Sequence, residues 1–149
     1  MHASAILQAY LDEVGRTVMT DDWNGYNQCV DLPCHIITDN ENKIVATTED
    51  LRAGFDMFCS NLHAQRVTDY IRLVDSAQQQ DPGLIRGRYI THMIAGSQRL
   101  MPPFMSEITL RLVGNRWRAV LVNTALANSR WPLIRLEINP DTPIEGSQE

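Results

Sequence analysis

A predicted β-hairpin in the C-terminal half of the chain constrains the fold more than any other segment. Residues 105–124 read MSEITLRLVGNRWRAVLVNT, two β-prone runs that flank Gly114 and Asn115. This dipeptide tolerates the positive φ angles of two-residue hairpin turns. On the first arm every second residue from Ile108 to Leu112 is apolar, which is the period of a strand with one buried face. The chain is therefore predicted to contain a sheet built on this hairpin.

The second arm of the hairpin carries apolar side chains on both faces. Strict alternation predicts one face with Trp117, Ala119, Leu121 and Asn123, and an opposite face with Arg118, Val120, Val122 and Thr124. A single layer of helices covers only one face of a sheet. We therefore expect an interaction surface on the outer faces of the 84–95 and 105–124 strands, most simply that of a two-fold homodimer.

The N-terminal half is predicted to be mainly helical. Between residues 3 and 19, apolar side chains recur every three or four positions and form one stripe. Thr20 is placed to cap a short second helix, and Thr47 with Asp50 resembles the capping box of a third. Alternating segments predict further strands over 29–38, 67–77, 84–95 and 131–138.

This order of elements, helices first and then consecutive strands, indicates the α+β class. We expect a curved antiparallel sheet wrapped around the N-terminal helices, a cone or half-barrel with a central cavity. Residues 1–138 are expected to form this domain. Residues 139–149, which include prolines and several acidic side chains, are expected to form a flexible tail.

The composition argues against several classes of partner. The net charge is −5 and the arginines are scattered, whereas a nucleic-acid surface needs clustered basic residues. No apolar run approaches the roughly 20 residues of a membrane helix, and the N-terminus lacks a signal-peptide pattern. The three cysteines lack a Cys-x-x-Cys pair, which is typical of reduced thiols. We expect a cytoplasmic protein that binds neither nucleic acid nor membrane.

The histidines and cysteines do not by themselves define a site. No spacing among them matches a zinc motif, so neither a metal nor another cofactor is predicted. His92 shares a predicted strand face with Arg86 and Arg88. If that face is concave, the group would suit an anionic or carbonyl-bearing ligand. If it is convex, the same residues form a solvated or dimer-facing surface.

Taken together, these features resemble the nuclear transport factor 2-like superfamily, which includes SnoaL-like polyketide cyclases, ketosteroid isomerases and scytalone dehydratases. The resemblance rests on the helix through Tyr10, the segment Asp21-Asp22-Trp23, the strand that contains Pro33, the run TTEDLxxxF and the final GNRWRAVLVN. It implies a cystatin-like cone around a pocket. The fold alone does not imply a reaction, because it supports enzymes, binding modules and assembly subunits alike.

The resemblance also implies roles for individual residues. In enzymes of the superfamily, a tyrosine on the first helix and an acid near the first strand point into the cone. Tyr10 and Asp31 are their counterparts here, and His92 and His35 are counterparts of the dehydratase histidine pair. The late strands carry no second inward-facing acid, which departs from the isomerase pattern.

The pocket candidates combine aromatic residues of the predicted helices with mainly polar residues of the predicted strands. They are Tyr10, Trp23, Asp31, His35, Phe55, Tyr89, His92 and Asn123. A structural role in the core is the alternative for the aromatic members. Two functions remain open. One is a small-molecule pocket, with or without SnoaL-like isomerase, cyclase or dehydratase chemistry, and the other is a non-catalytic assembly domain that acts as a homodimer.

Overall fold

Two long helices and one short helix occupy much of the N-terminal half. The computed structural model of the protein describes residues 2–124 and the backbone of residues 129–130 and 134–135. Helix α1 spans Ala3–Met19, α2 spans Trp23–Asn27 and α3 spans Thr48–Ala64. The predicted first and third helices are confirmed.

One predicted helix cap is confirmed and the other is wrong. The Thr47 hydroxyl accepts a hydrogen bond from Asp50 N at 3.1 Å at the start of α3, as expected of a capping residue. At α2 the cap is Asp22, whose carboxylate accepts from Gly25 N at 3.0 Å. Thr20 instead donates its hydroxyl to a carbonyl oxygen in the last turn of α1, because it ends that helix rather than starting the next.

The strands follow the predicted order with three additions. Their bounds are β1 Val30–Ile37, β2 Asn42–Val45, β3 Asp69–Asp81, β4 Leu84–Ala95, β5 Gln98–Arg99, β6 Phe104–Val113, β7 Arg116–Thr124, β8 Ser129–Arg130 and β9 Ile134–Arg135. The sequence did not predict the short strands β2, β5 and β8. The predicted strand over 131–138 overlaps β9, and its other residues, like the predicted tail over 139–149, lie outside the described residues.

The main sheet has the order β2-β1-β7-β6-β4-β3, and β5 pairs with β4. Strands β3, β4, β6 and β7 are antiparallel neighbours, as the consecutive segments predict. Strand β1 pairs with β7 in parallel, which the sequence did not predict. These two strands are separated by α3 and most of the sheet, so no tight turn forces them to be antiparallel.

A β-bulge at Val120 changes the predicted faces of β7. Thr109 pairs with Leu121, but the next residue of β6, Leu110, pairs with Ala119. The extra residue on β7 interrupts the alternation. Ala119 and Val122 are therefore both buried, and the prediction that they lie on opposite faces is wrong.

The helices lie against one face of this curved, unclosed sheet and give an α+β cone. Leu7 and Leu11 of α1 pack with Ile85 of β4 and Leu110 of β6 in the largest buried cluster. The approach of α1 is close because position 87 of β4 is a glycine. A Cβ atom there would lie 2.5 Å from Leu7 Cδ2 and 2.9 Å from a β3 backbone oxygen.

Helix α1 is also attached to the outer edge of β3 by a side-chain amide. Gln8 Nε2 donates to Arg72 O at 2.8 Å, and Gln8 Oε1 accepts from Val74 N at 3.0 Å. The amide thus pairs with both backbone groups in the way a neighbouring strand would. This double hydrogen bond fixes the backbone of β3 at Arg72.

No helix in the described part of the chain combines the length and apolar character needed to cross a membrane.

Candidate functional site

An interior cavity with a volume of about 80 Å³ lies between the helices and the concave face of the sheet. Most of its wall is apolar and is drawn from α1, α3 and the main sheet. The apolar lining residues are Val14, Val18, Val30, Cys34, Ile36, Val45, Leu51, Phe55, Phe58, Ile108, Ala119 and Val122. The remaining wall consists of four tyrosines and one arginine, Tyr10, Tyr26, Tyr70, Tyr89 and Arg72.

Among the described residues that line this cavity, Arg72 is the single charged side chain, and it is only 8% exposed. Its Nη2 atom donates to Leu11 O at 2.8 Å. The guanidinium carbon lies 4.8 Å from the ring centroid of Tyr70 and 5.7 Å from that of Tyr89, within the range of cation–π attraction. The aromatic rings therefore hold the guanidinium in place at the wall of the cavity.

In the part of the chain that the structure describes, the positive charge of Arg72 has no carboxylate partner. Within residues 2–124, none of the ion pairs includes it. Burial by itself lowers the pKa of the Arg72 guanidinium, but interactions with the side chains of Tyr70, Tyr89 and Tyr10, including a hydrogen bond to Tyr89, outweigh this effect and raise that pKa. The group stays charged at neutral pH. A buried charge without a counterion is costly for a fold.

The tyrosine hydroxyls supply hydrogen-bond donors at the same cavity. Tyr10 donates to Cys29 O at 2.7 Å. For Tyr26 and Tyr70 the structure shows no hydroxyl hydrogen bond to another described residue. Burial raises the pKa of all three phenols, so each keeps its proton at neutral pH.

A group of aromatic rings closes the wall near α2 and α3. The Phe55 ring centroid lies 4.8 Å from that of Tyr26 and 5.6 Å from that of Trp23. Phe58 makes an edge contact with Tyr70 at 5.5 Å. Tyr26 and Tyr70 are thus positioned by ring packing.

Some of the residues predicted from the sequence meet at this cavity. Tyr10, Phe55 and Tyr89 belong to its wall. Trp23 packs behind Phe55 rather than lining the cavity. Of the predicted aromatic candidates, therefore, three contribute directly to the wall and one supports it.

The predicted polar candidates lie away from the cavity wall. Asp31 forms an ion pair with Arg111 at 2.6 Å, and His35 is hydrogen-bonded to Asn42. On β4 the buried face carries Tyr89, Thr91 and Met93, so the alternation of the strand turns His92 to the convex face. There its Nδ1 atom accepts from Arg99 at 2.7 Å, and Asn123 lies opposite Glu107 on the same side of the sheet.

Sequence reasoning missed Arg72, Tyr26 and Tyr70 as site residues. An arginine in an alternating strand is usually assigned to the solvent face. One signal pointed the other way, because Arg72 shares its strand face with Tyr70 and Val74. When a cationic residue lies two positions from an aromatic residue on one side and from an aliphatic residue on the other, the three side chains share a strand face. This pattern indicates that the cation points toward the core.

The cysteines are buried free thiols. Cys34 lines the cavity, and burial raises its pKa to about 12. Burial likewise raises the pKa of Cys29 to about 11 and that of Cys59 to about 12. All three are protonated at neutral pH and are poor nucleophiles in this state. Across the described residues, no group of three or more His, Cys, Asp or Glu side chains is placed to hold a metal ion.

Comparison with known proteins identifies the architecture through solved structures. No protein-family model matches the chain, and no curated protein matches it in sequence. An NTF-2-like protein of unknown function from Shewanella oneidensis MR-1 superposes with a TM-score of 0.64 at 7% identity, over 81% of this chain and 97% of its own.

Two further solved structures share the arrangement. A protein of unknown function with a cystatin-like fold from Nostoc punctiforme gives a TM-score of 0.62 at 13% identity, over 87% of this chain and 94% of its own. A putative calcium/calmodulin-dependent protein kinase type II association domain from Thiobacillus denitrificans gives a TM-score of 0.61 at 14% identity, over 78% of this chain and 91% of its own. The resemblance seen in the sequence is confirmed for the fold: the chain has the nuclear transport factor 2-like fold, also described as cystatin-like.

Proposed function

We propose that the protein binds a small organic molecule in the interior cavity. The observation that carries this proposal is the composition of the wall, in which apolar side chains surround one buried cation and several tyrosines. Ligand sites typically combine a mainly apolar lining with a few convergent polar groups. A cavity filled for stability alone would need no unpaired guanidinium, because an apolar side chain of similar size avoids the cost of burying charge.

Binding rather than proton transfer is the function that this wall supports best. A SnoaL-like isomerase, cyclase or dehydratase needs a general base that is deprotonated near neutral pH. Among the described lining residues there is neither a carboxylate nor an imidazole. Tyr10, Tyr26, Tyr70 and Cys34 have raised pKa values, so they serve as hydrogen-bond donors rather than as bases.

Filling the cavity is expected to abolish ligand binding. Ala119 is buried and lines the cavity, so Ala119→Leu places a larger side chain in the ligand volume. Ligands would be found by native mass spectrometry of the purified protein and by NMR screening with small organic fragments. Fragments that shift the resonances of cavity residues should bind the wild type and not Ala119→Leu.

The matched control for this variant is Val120→Leu on the same strand. Val120 is the bulged residue beside Ala119 and does not line the cavity, so this variant should keep the affinity of the wild type. Cavity-directed binding that survives Ala119→Leu, or a screen in which no fragment shifts a cavity resonance, would contradict the proposed function.

Exposed apolar side chains on the outer sheet face favour a homodimer as a second functional feature. On β3, Ile71 is 40% exposed and Leu73 is 50% exposed. Leu73 lies opposite Ile90 of β4, and Ile90 lies opposite Met105 of β6. An apolar row that crosses three strands fits a self-complementary interface. This patch centres on β3 and β4, whereas the interface predicted from the sequence centred on β4 and the β6–β7 hairpin.

The dimer is tested by the mass of the protein in solution. Light scattering after size exclusion should give about twice the 16.9 kDa chain mass at micromolar concentration, and Leu73→Lys should give the monomer mass because a charge cannot be buried there. Ile44→Lys is the control, since Ile44 is 61% exposed on β2 at the other end of the sheet. A wild-type monomer, or equal dissociation by both variants, would exclude this interface.

A further inference from the structure

We infer that the ligand of the cavity is a small monocarboxylate, whose carboxylate group is bound by the Arg72 guanidinium and by the hydroxyls of Tyr26 and Tyr70. The inference rests on the proposed binding function and specifies the chemical class of the ligand. Four features of the cavity carry it: the geometry of the cation, its fixation, the neighbouring donors and the character of the remaining wall.

The Arg72 guanidinium has N–H donors that remain free to bind a ligand, and its planar geometry matches a carboxylate. A guanidinium carries five N–H donors in a planar fork that matches the two oxygens of a carboxylate. Within the described residues, Arg72 Nη2 donates to Leu11 O, and the Arg72 side chain also makes a hydrogen bond with the Tyr89 side chain, so at most two of these donors are in use. The fork therefore keeps donors for a bound anion, and an anion would supply the counter-charge that the fold does not.

The cation is held rigidly before any ligand arrives. The rings of Tyr70 and Tyr89 both lie within cation–π distance of the guanidinium. The Arg72 backbone is fixed by the Gln8 amide, which donates to its carbonyl oxygen. Preorganisation of this kind reduces the conformational entropy lost on binding.

The hydroxyls beside the cation act as donors and not as competing anions. Tyr26 and Tyr70 line the same cavity, and burial keeps both phenols protonated. A carboxylate accepts hydrogen bonds at several lone pairs. One cation and two neutral donors match a single negative charge.

The rest of the wall selects a small and otherwise apolar molecule. No second cationic side chain is present among the described lining residues, so a dianion would leave one charge buried and unpaired. A buried water needs roughly 10–15 Å³, so the cavity has room for about six waters or an organic molecule of similar bulk. Short branched or aromatic monocarboxylates fit this space.

The test compares acids with neutral molecules of the same shape. Binding of benzoate and isovalerate would be measured by calorimetry and NMR against benzamide and isovaleramide, with phthalate as the dianion. Each acid should bind about tenfold more tightly than its amide, the discrimination expected of a charge-assisted hydrogen-bonded pair. Phthalate should bind more weakly than benzoate.

Variants assign this discrimination to individual residues. Arg72→Gln should remove the preference for the acid over the amide, and Arg88→Gln, on the exposed outer face, should keep it. Retained amide binding by Arg72→Gln shows that this variant is folded. If it does not fold, Tyr26→Phe and Tyr70→Phe keep the ring packing, and each should reduce the ratio of acid to amide affinity several-fold.

The pH dependence separates Arg72 from the histidines as the source of the charge. Arginine and buried neutral tyrosine do not titrate between about pH 6 and pH 9, so benzoate affinity should be constant there. A change centred near pH 6.5, the ordinary pKa of histidine, would assign binding to a histidine and overturn the inference.

The remaining outcomes distinguish the inference from the function on which it rests. If acids and amides bind the cavity equally, or if only neutral fragments bind, the carboxylate inference is wrong and the cavity function stands. If no fragment of any charge shifts a cavity resonance, the proposed function itself is wrong.

Discussion

Phe55→Ala is expected to lower the free energy of unfolding by about 3–5 kcal/mol, the usual cost of removing a buried phenylalanine. Phe55 is only 3% exposed and packs against the rings of Trp23 and Tyr26. It also lines the interior cavity. Truncation would therefore enlarge an existing void, which neighbouring side chains cannot easily fill.

Guanidinium chloride melts followed by circular dichroism measure this effect. The control is Met57→Ala on the same helix, because Met57 is 58% exposed and its truncation should change stability by less than about 0.5 kcal/mol. Similar losses in the two variants would mean that the buried face of α3 is wrongly placed.

Gly87→Ala is expected to destabilise the protein by about 1–3 kcal/mol through overpacking. The added Cβ atom would lie 2.5 Å from Leu7 Cδ2, 2.9 Å from Ser76 O and 3.3 Å from Ala77 Cβ. Leu7 is fully buried, and the Ser76 oxygen belongs to the backbone of β3. Neither can move away without displacing α1 or the sheet.

Gly83→Ala provides the comparison, since the nearest atoms to its new Cβ would be 3.9 and 4.0 Å away. That variant should be neutral or slightly stabilising, because alanine restricts the unfolded chain more than glycine does. The stability of both glycine variants is measured by guanidinium chloride melts followed by circular dichroism. Unchanged stability of Gly87→Ala would show that α1 does not approach β4 as closely as described.

Local patterns in the sequence were sufficient to predict much of the fold. The α3 cap at Thr47, the strand from Leu84 to Ala95 and the turn at Gly114 each depend on a few neighbouring residues. Strand β2, Asn42–Val45, was missed because it is short and only its last two residues are β-prone, and it is ordered by pairing with β1. Pairing between distant segments has no local signature.

The candidate site was predicted less well, for the same physical reason. The aromatic members Tyr10, Phe55 and Tyr89 were found because apolar periodicity identifies inward faces. Arg72 was missed because an inward arginine contradicts that rule, and rules of sequence pattern tend to fail at functional sites. His92 was placed among the pocket candidates by resemblance, whereas the alternation of side chains along β4 directs it to the convex face.

The Gln8 amide has a consequence for how this protein avoids aggregation. Strand β3 is the terminal strand of the main sheet, and a terminal strand offers unpaired backbone groups on which a strand from another molecule can add. Gln8 occupies two of these groups, Arg72 O and Val74 N, from within the same chain. An incoming strand would have to displace this amide before it could continue the hydrogen-bond ladder. The Gln8 amide therefore hinders the addition of an intermolecular strand at this part of the edge.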